Sequence, residues 1–181
     1  MYSLNVPVPS TVARLASELA RDLPEARPRR RGEHTLVCKR LDGTASNVGH
    51  RSGTGGGPAT AGRLDARVRE AVAGTAPFAA RVTGVDRFRE AVTGPSPVVY
   101  LAVDSPGLLD LHRRLCETFE PVEGLECEDY TPHVTVARGG SPAVADALCD
   151  RDIDPVEWTV EELQVYDAEH VQPVSTLSLP A

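Results

Sequence analysis

Leu4, Val6 and Val8 alternate with polar positions and predict a strand over Tyr2–Val8, which Pro9 stops and after which Ser10 can cap a helix. Val12, Leu15, Ala16 and Leu19 recur at helical spacing, so that helix runs to about Leu23. A polar connection, Pro24 to Arg31, leads to a second strand over Glu33–Leu41. Residues 42–62, rich in Gly, Ser and Thr, read as a flexible loop, and Leu64, Val68 and Val72 mark a helix over Arg63–Ala73. Strands follow at Phe78–Val85 and Pro97–Val103, the second apolar enough to be buried on both faces. Pro106 opens a helix whose face is Leu108, Leu111, Leu115 and Phe119. A strand through His133, a short helix through Val144, Ala147 and Leu148, and strands at Trp158–Tyr166 and Val171–Leu179 complete the chain.

The stretch Tyr130-Thr131-Pro132-His133-Val134-Thr135-Val136-Ala137-Arg138 is the one whose pattern carries chemistry. Side chains two apart on a strand share a face, so His133 and Thr135 project together while Val134 and Val136 turn to a core. An imidazole beside a hydroxyl can hold an anion's oxygen and move a proton at it.

Composition narrows the setting. With 181 residues, 41% of them hydrophobic and 25% charged, the chain suits one soluble domain. Its net charge of −7 argues against a broad duplex-DNA surface, which needs many cations, but leaves room for one phosphate in a local basic pocket. Arg29-Arg30-Arg31 reads as a solvated turn. Cys38, Cys116, Cys127 and Cys149 show no paired spacing and read as reduced, buried thiols, and His112 as a helix-surface residue. No apolar run reaches the roughly 20 residues of a membrane helix, and no leader pattern is present, so a cytoplasmic monomer is expected. The Gly-rich loop lacks a G-K-[ST] signature and is given no nucleotide role.

The order apolar strand, proline break, amphipathic helix, His-bearing strand occurs twice. Leu4-Asn5-Val6 with Pro9 matches Leu101-Ala102-Val103 with Pro106 at an offset of 97, and His34 matches His133 at an offset of 99. Continuing without a gap, Lys39 falls on Arg138. Two such lobes, roughly residues 1–95 and 96–181, can face each other across a groove. Paired imidazoles could then remove one proton and deliver another at a phosphodiester, each step worth about 10²–10⁴-fold, with no metal or other cofactor.

These motifs resemble the two-histidine (2H) phosphoesterase superfamily, marked by a repeated H-x-[ST]-x tetrapeptide, and within it the branch of 2′-5′ RNA ligases and RNA 2′,3′-cyclic phosphodiesterases. The resemblance implies an α+β fold of two pseudo-symmetric lobes, each with an antiparallel sheet and helices on its outer side, with the active-site groove between them. It implies His34 and His133 as the acid/base pair and Thr135 as a donor to a phosphate oxygen. The implied partner is an RNA end bearing a 2′,3′-cyclic phosphate, or a small cyclic nucleotide, with 2′-5′ ligation as a possible side activity.

The second motif, His133-Val134-Thr135-Val136, fits fully, whereas the first reads His34-Thr35-Leu36-Val37 with its hydroxyl one residue early. Either a β-bulge turns Thr35 back to the phosphate, or Leu36 takes that position and the phosphate is held from one side. Lys39 and Arg138 lie five residues beyond their histidines, on the opposite face of a regular strand. Arg138 reaches the phosphate only if the strand twists or ends first, and Lys39 reads as a surface charge. Tyr130 either stacks a base at the rim or plugs the lobe boundary. The imperfect first motif also admits a module that binds a nucleotide or RNA end with little or no turnover.

Overall fold

A computed structural model of the chain describes residues 1–30, 32–41 and 58–180, the side chains of 58–61 excepted. Strands form at Tyr2–Pro7 (β1), Arg27–Pro28 (β2), Thr35–Arg40 (β3), Phe78–Phe88 (β4), Val98–Asp104 (β5), His133–Arg138 (β6), Val156–Val160 (β7), Glu162–Asp167 (β8) and Gln172–Ser178 (β9). Helices form at Ser10–Ala20 (α1), Pro58–Val72 (α2), Pro106–Thr118 (α3) and Pro142–Cys149 (α4). The fold is α+β with an antiparallel sheet, as expected.

Several local expectations shift. Pro9, rather than Ser10, occupies the cap of α1, and no side chain caps it. Ser105 does cap α3, its Oγ accepting from the Leu108 N–H at 3.3 Å. The helix α2 begins at Pro58, inside the stretch read as loop, because proline suits a first helical turn. The rest of that loop, with His50, lies outside the described residues. The strand expected over Trp158–Tyr166 breaks at Glu161, its two pieces joining opposite ends of the sheet.

The sheet runs β7-β4-β5-β6-β3-β1-β8-β9, with β2 beside β6. Its midline falls between β6 and β3, where Leu36 pairs with Val134, so the two lobes share one sheet. The lobes do not divide at the middle of the sequence. β4 pairs along its length with β5 and so sits in the second lobe, while β8 pairs with β1 in the first. Each lobe completes its sheet with strands from the other half of the chain.

Helices α1, α3 and α4 cover one face, packing on β6, on β3 and β4, and on β4 respectively. Val12, Ala16 and Leu19 of α1 and Leu108, Leu111 and Leu115 of α3 are buried there against Leu36, Val134 and Val136. Removing the side chain of a core leucine of this kind costs about 2–5 kcal/mol. The opposite face carries the polar side chains of β3 and β6. Among the described residues no helix is long and apolar enough to cross a membrane.

Candidate functional site

β3 and β6 carry the same burial sequence, position for position, from Thr35 to Arg40 and from His133 to Arg138. The repeat offset at the site is therefore 98, and Thr35, not His34, is the counterpart of His133. The Leu36–Val134 pair turns both of its side chains into the core, so the residues flanking it face the groove. Thr35, Val37, His133 and Thr135 line one small polar pocket there.

This corrects the expected histidine pair. His34 immediately precedes β3, is 6% exposed, and has no hydrogen-bond partner for either ring nitrogen among the described residues. Its neighbours Glu33 and Thr35 line the pocket and it does not. Strand alternation is the cause: with Thr35 facing the groove, the adjacent side chain points away. Burial, followed by the charge of Arg29, pushes the His34 pKa below the usual histidine value.

The question of Thr35 against Leu36 is also answered. Thr35 faces the pocket and Leu36 is fully buried. Thr35 takes the position of the first imidazole rather than that of the clamping hydroxyl, and Val37 stands where Thr135 stands in the second motif.

Arg138 reaches the pocket through a bulge. Val99 pairs with Ala137 but Tyr100 with Thr135, so Val136 is the extra residue, and the strand beyond it changes face. The matching bulge in β3 is at Cys38, since Leu4 pairs with Lys39 but Asn5 with Val37. It returns Arg40 to the groove and turns Lys39 inward. Lys39, expected at the surface, is fully buried, where its Nζ donates to Glu126 Oε2 and to the carbonyls of Arg40 (2.8 Å) and Glu120 (3.0 Å). The counterpart of Arg138 is thus Arg40.

A third guanidinium joins them. β2 pairs with β6, Arg27 opposite Arg138 and Pro28 opposite Ala137, and the Arg29 N–H donates to the Val136 carbonyl at 3.0 Å. That short pairing makes Arg29 a wall of the pocket, although its sequence context reads as a solvated turn. For Arg40 the available signal was the repeat itself, taken at the correct offset.

Among the described residues, Arg29, Arg40 and Arg138 face one carboxylate in this pocket, Glu33. Burial, then the charges of Arg29 and Arg40, lower the Arg138 pKa, which is the signature of cations crowded around a space suited to an anion. The Arg138 guanidinium is aimed by a 2.9 Å bond from its NH1 to the Thr93 carbonyl.

The His133 Nδ1 lies 2.7 Å from the Thr131 carbonyl, which makes it the protonated nitrogen and leaves Nε2 with a free lone pair. Phe88 packs edge-on against the ring and Tyr100 packs tilted, each with centroids 5.1 Å away. Burial, with Arg40, Arg138 and Arg29 nearby, holds its pKa below the usual value despite the opposing Thr131 bond. At neutral pH His133 is therefore a neutral base set among fixed cations.

A more apolar cavity of about 190 Å³ opens beside the pocket, sharing Arg40, His133 and Arg138 and adding Phe88, Val92 and Leu125. Tyr130 lines it too, but is anchored: its hydroxyl donates to the Val37 carbonyl at 2.7 Å and its ring stacks on His112 at 3.7 Å between centroids. One face of the tyrosine is thereby occupied. His112 is buried rather than at the helix surface, because this stacking and its bond to the Cys38 carbonyl satisfy it inside.

The sequence profile described as the 2′-5′ RNA ligase superfamily matches residues 53–172. The chain belongs to the 2′-5′ RNA ligase superfamily. The matched segment contains His133 and Thr135 but not Thr35. A crystal structure of TT0787 from Thermus thermophilus aligns with a TM-score of 0.65 at 18% identity, covering 98% of this chain and 97% of that one. A crystal structure of a phosphoesterase aligns with a TM-score of 0.61 at 17% identity, covering 99% and 98%. Comparison with curated protein sequences finds no match. Membership of the superfamily associates the chain with phosphoester chemistry, and its groove carries the imidazole-and-hydroxyl pair in only one of its two half-sites.

Proposed function

We propose that the protein is a phosphoesterase that opens 2′,3′-cyclic phosphodiesters at RNA ends or on small cyclic nucleotides, with His133 as its proton-transfer group. The observation that carries this reading is the meeting of a base, His133 Nε2, with three guanidiniums in one pocket. The arginines would hold the nonbridging oxygens and stabilise the charge that builds at phosphorus, with Thr135 donating a further hydrogen bond. His133 would take the proton of the attacking water. The donor set of the described residues suits this course, since one carboxylate among three guanidiniums repels a divalent cation.

Thr35 can hydrogen-bond but cannot protonate the leaving oxygen, because a hydroxyl is far too weak an acid. The second proton then comes from water, and turnover is expected to lie below that of a two-imidazole site by about 10²–10⁴-fold. Ligation of a 2′-5′ bond is the reverse chemistry in the same groove and needs a second RNA end held beside the first.

The position of Thr35 favours a second reading, a module that binds a phosphorylated nucleotide or RNA end without turning it over. Incubation with 2′,3′-cyclic AMP in the presence of EDTA separates the two. Product that disappears in His133→Ala supports the esterase; saturable binding with no product supports the module.

A further inference from the structure

Behind the groove lies a cluster that neither phosphate binding nor proton transfer uses. His112 on α3 has its Nδ1 2.7 Å from the Cys38 carbonyl, so Nδ1 carries the proton and Nε2 is the acceptor nitrogen. Two cysteines converge on that acceptor, the Cys127 N–H at 2.9 Å and the Cys116 thiol at 3.4 Å. Both cysteines line a surface cavity with His112 and Tyr130. Cys127 is exposed and Cys116 half-buried. Cys127 further adopts φ 59°, a left-handed conformation uncommon for a side chain of this kind, which holds its N–H toward His112.

We propose that Cys116 and Cys127 form a reversible oxidation site, in which a peroxide converts the two thiols to an intramolecular disulfide with His112 as proton acceptor, and that this weakens anion binding in the groove. The exposed Cys127 sulfur attacks one peroxide oxygen. The O–O bond breaks, Cys127 becomes a sulfenic acid, and the other oxygen leaves as water after taking a proton. Cys116 then attacks the sulfenic sulfur, its proton passing to His112 Nε2. The S–O bond breaks and hydroxide departs, regaining that proton as water. Two thiols are oxidised by two electrons and one peroxide is reduced.

The environments suit the order of these steps. Burial raises the Cys116 pKa to about 11, so it waits as a thiol until an electrophilic sulfur arrives, and a base stands within reach for that moment. The link to the groove runs through the segment that ends in Cys127. Its preceding residue, Glu126, accepts from the Arg40 backbone N–H at 2.7 Å and lies 3.8 Å from the Arg40 guanidinium. Three residues further, Tyr130 binds the Val37 carbonyl. Drawing the Cys127 sulfur onto Cys116 displaces this segment and with it the support of Arg40.

This coupling rests on the groove's reading as a phosphate site; the thiol chemistry does not, and the test separates them. The full chain is treated with hydrogen peroxide, alkylated and digested, and its peptides are weighed. A Cys116–Cys127 cross-link within one chain, reversed by dithiothreitol and lost in Cys127→Ser, is the expected result. In Cys116→Ser, Cys127 should stop at the sulfenic acid and be trapped by a cyclic dione. A disulfide joining two chains, or oxidation of Cys127 beyond the sulfenic stage in the wild type with Cys116 untouched, would overturn the site. In parallel, the affinity for inorganic phosphate should fall several-fold on oxidation and recover on reduction. A disulfide with unchanged phosphate affinity overturns the coupling alone.

Discussion

Leu36 lies opposite Val134 across the midline of the sheet, and this one pair determines which side chains meet in the groove. It sends Thr35 and Val37 to the same side as His133 and Thr135, and it takes His34 out of the pocket. The first prediction follows from that placement. Thr35→His puts a second imidazole at the counterpart of His133, and turnover of 2′,3′-cyclic AMP should rise by up to about 10²-fold, the lower end of a positioned acid's contribution. His34→Ala should leave kcat within a few-fold of wild type. Initial rates under saturating substrate check both, and a collapse of kcat in a folded His34→Ala would return that residue to the chemistry.

In the proposed reaction His133 acts in its neutral form, and burial with three nearby arginines lowers its pKa. The acidic limb of kcat/KM should accordingly fall below the usual histidine value of about 6.5, with activity rising as pH increases through it. Substituting Arg40→Gln or Arg138→Gln removes one lowering charge and should shift that limb upward. A pH-rate profile of each variant measures the shift.

The same two arginine variants should each weaken inorganic phosphate as a competitor by at least about ten-fold, the lower end of a charge-assisted bond worth roughly 1.5–3 kcal/mol. Added salt should reduce the wild-type affinity more steeply than that of either variant, because fewer charges then remain to be screened. Inhibition constants at two ionic strengths decide it.

Lys39 and Glu126 are both completely buried as side chains and bonded to one another. Glu126→Ala strands the ammonium in the core and frees the N–H groups of Arg40 and Val122, so destabilisation of about 3–5 kcal/mol is expected. Lys39→Met together with Glu126→Gln should recover most of that loss. Urea denaturation of the single and double variants gives the comparison.

His34, His112 and His133 all have pKa values lowered by folding, with burial as the leading cause. The unfolded chain binds protons at these residues more readily, near its ordinary value of about 6.5. Stability should be complete above that pH and decline on acidification through it, until the folded values are reached. The urea midpoint followed from neutral pH downward should show this fall, and His34→Gln should make it shallower.

Much of the architecture was legible in the sequence because it depends on local periodicity. The alternation in Tyr2–Val8, the helical stripe of Leu108, Leu111 and Leu115, and the repeated strand-helix-strand order gave the α+β class and its pseudo-symmetry. His133 and Thr135 were likewise visible, being two apart on a strand with valines between and beyond. What could not be read was the phase of the first lobe. An offset of 97 between strands and 99 between histidines left 98 as the value that the paired strands adopt. Bulges at Cys38 and Val136, invisible without the neighbouring strands, then decided that Arg40 and Arg138 face the groove while Lys39 is buried. Arg29 became part of the pocket only through two residues of pairing between β2 and β6.

The sequence alone thus determined that a strand here has two faces and which residues alternate along it. Which face meets the groove was decided by the tertiary structure, because a shift of one residue exchanges every side chain between core and site, and only the partner strand fixes that register.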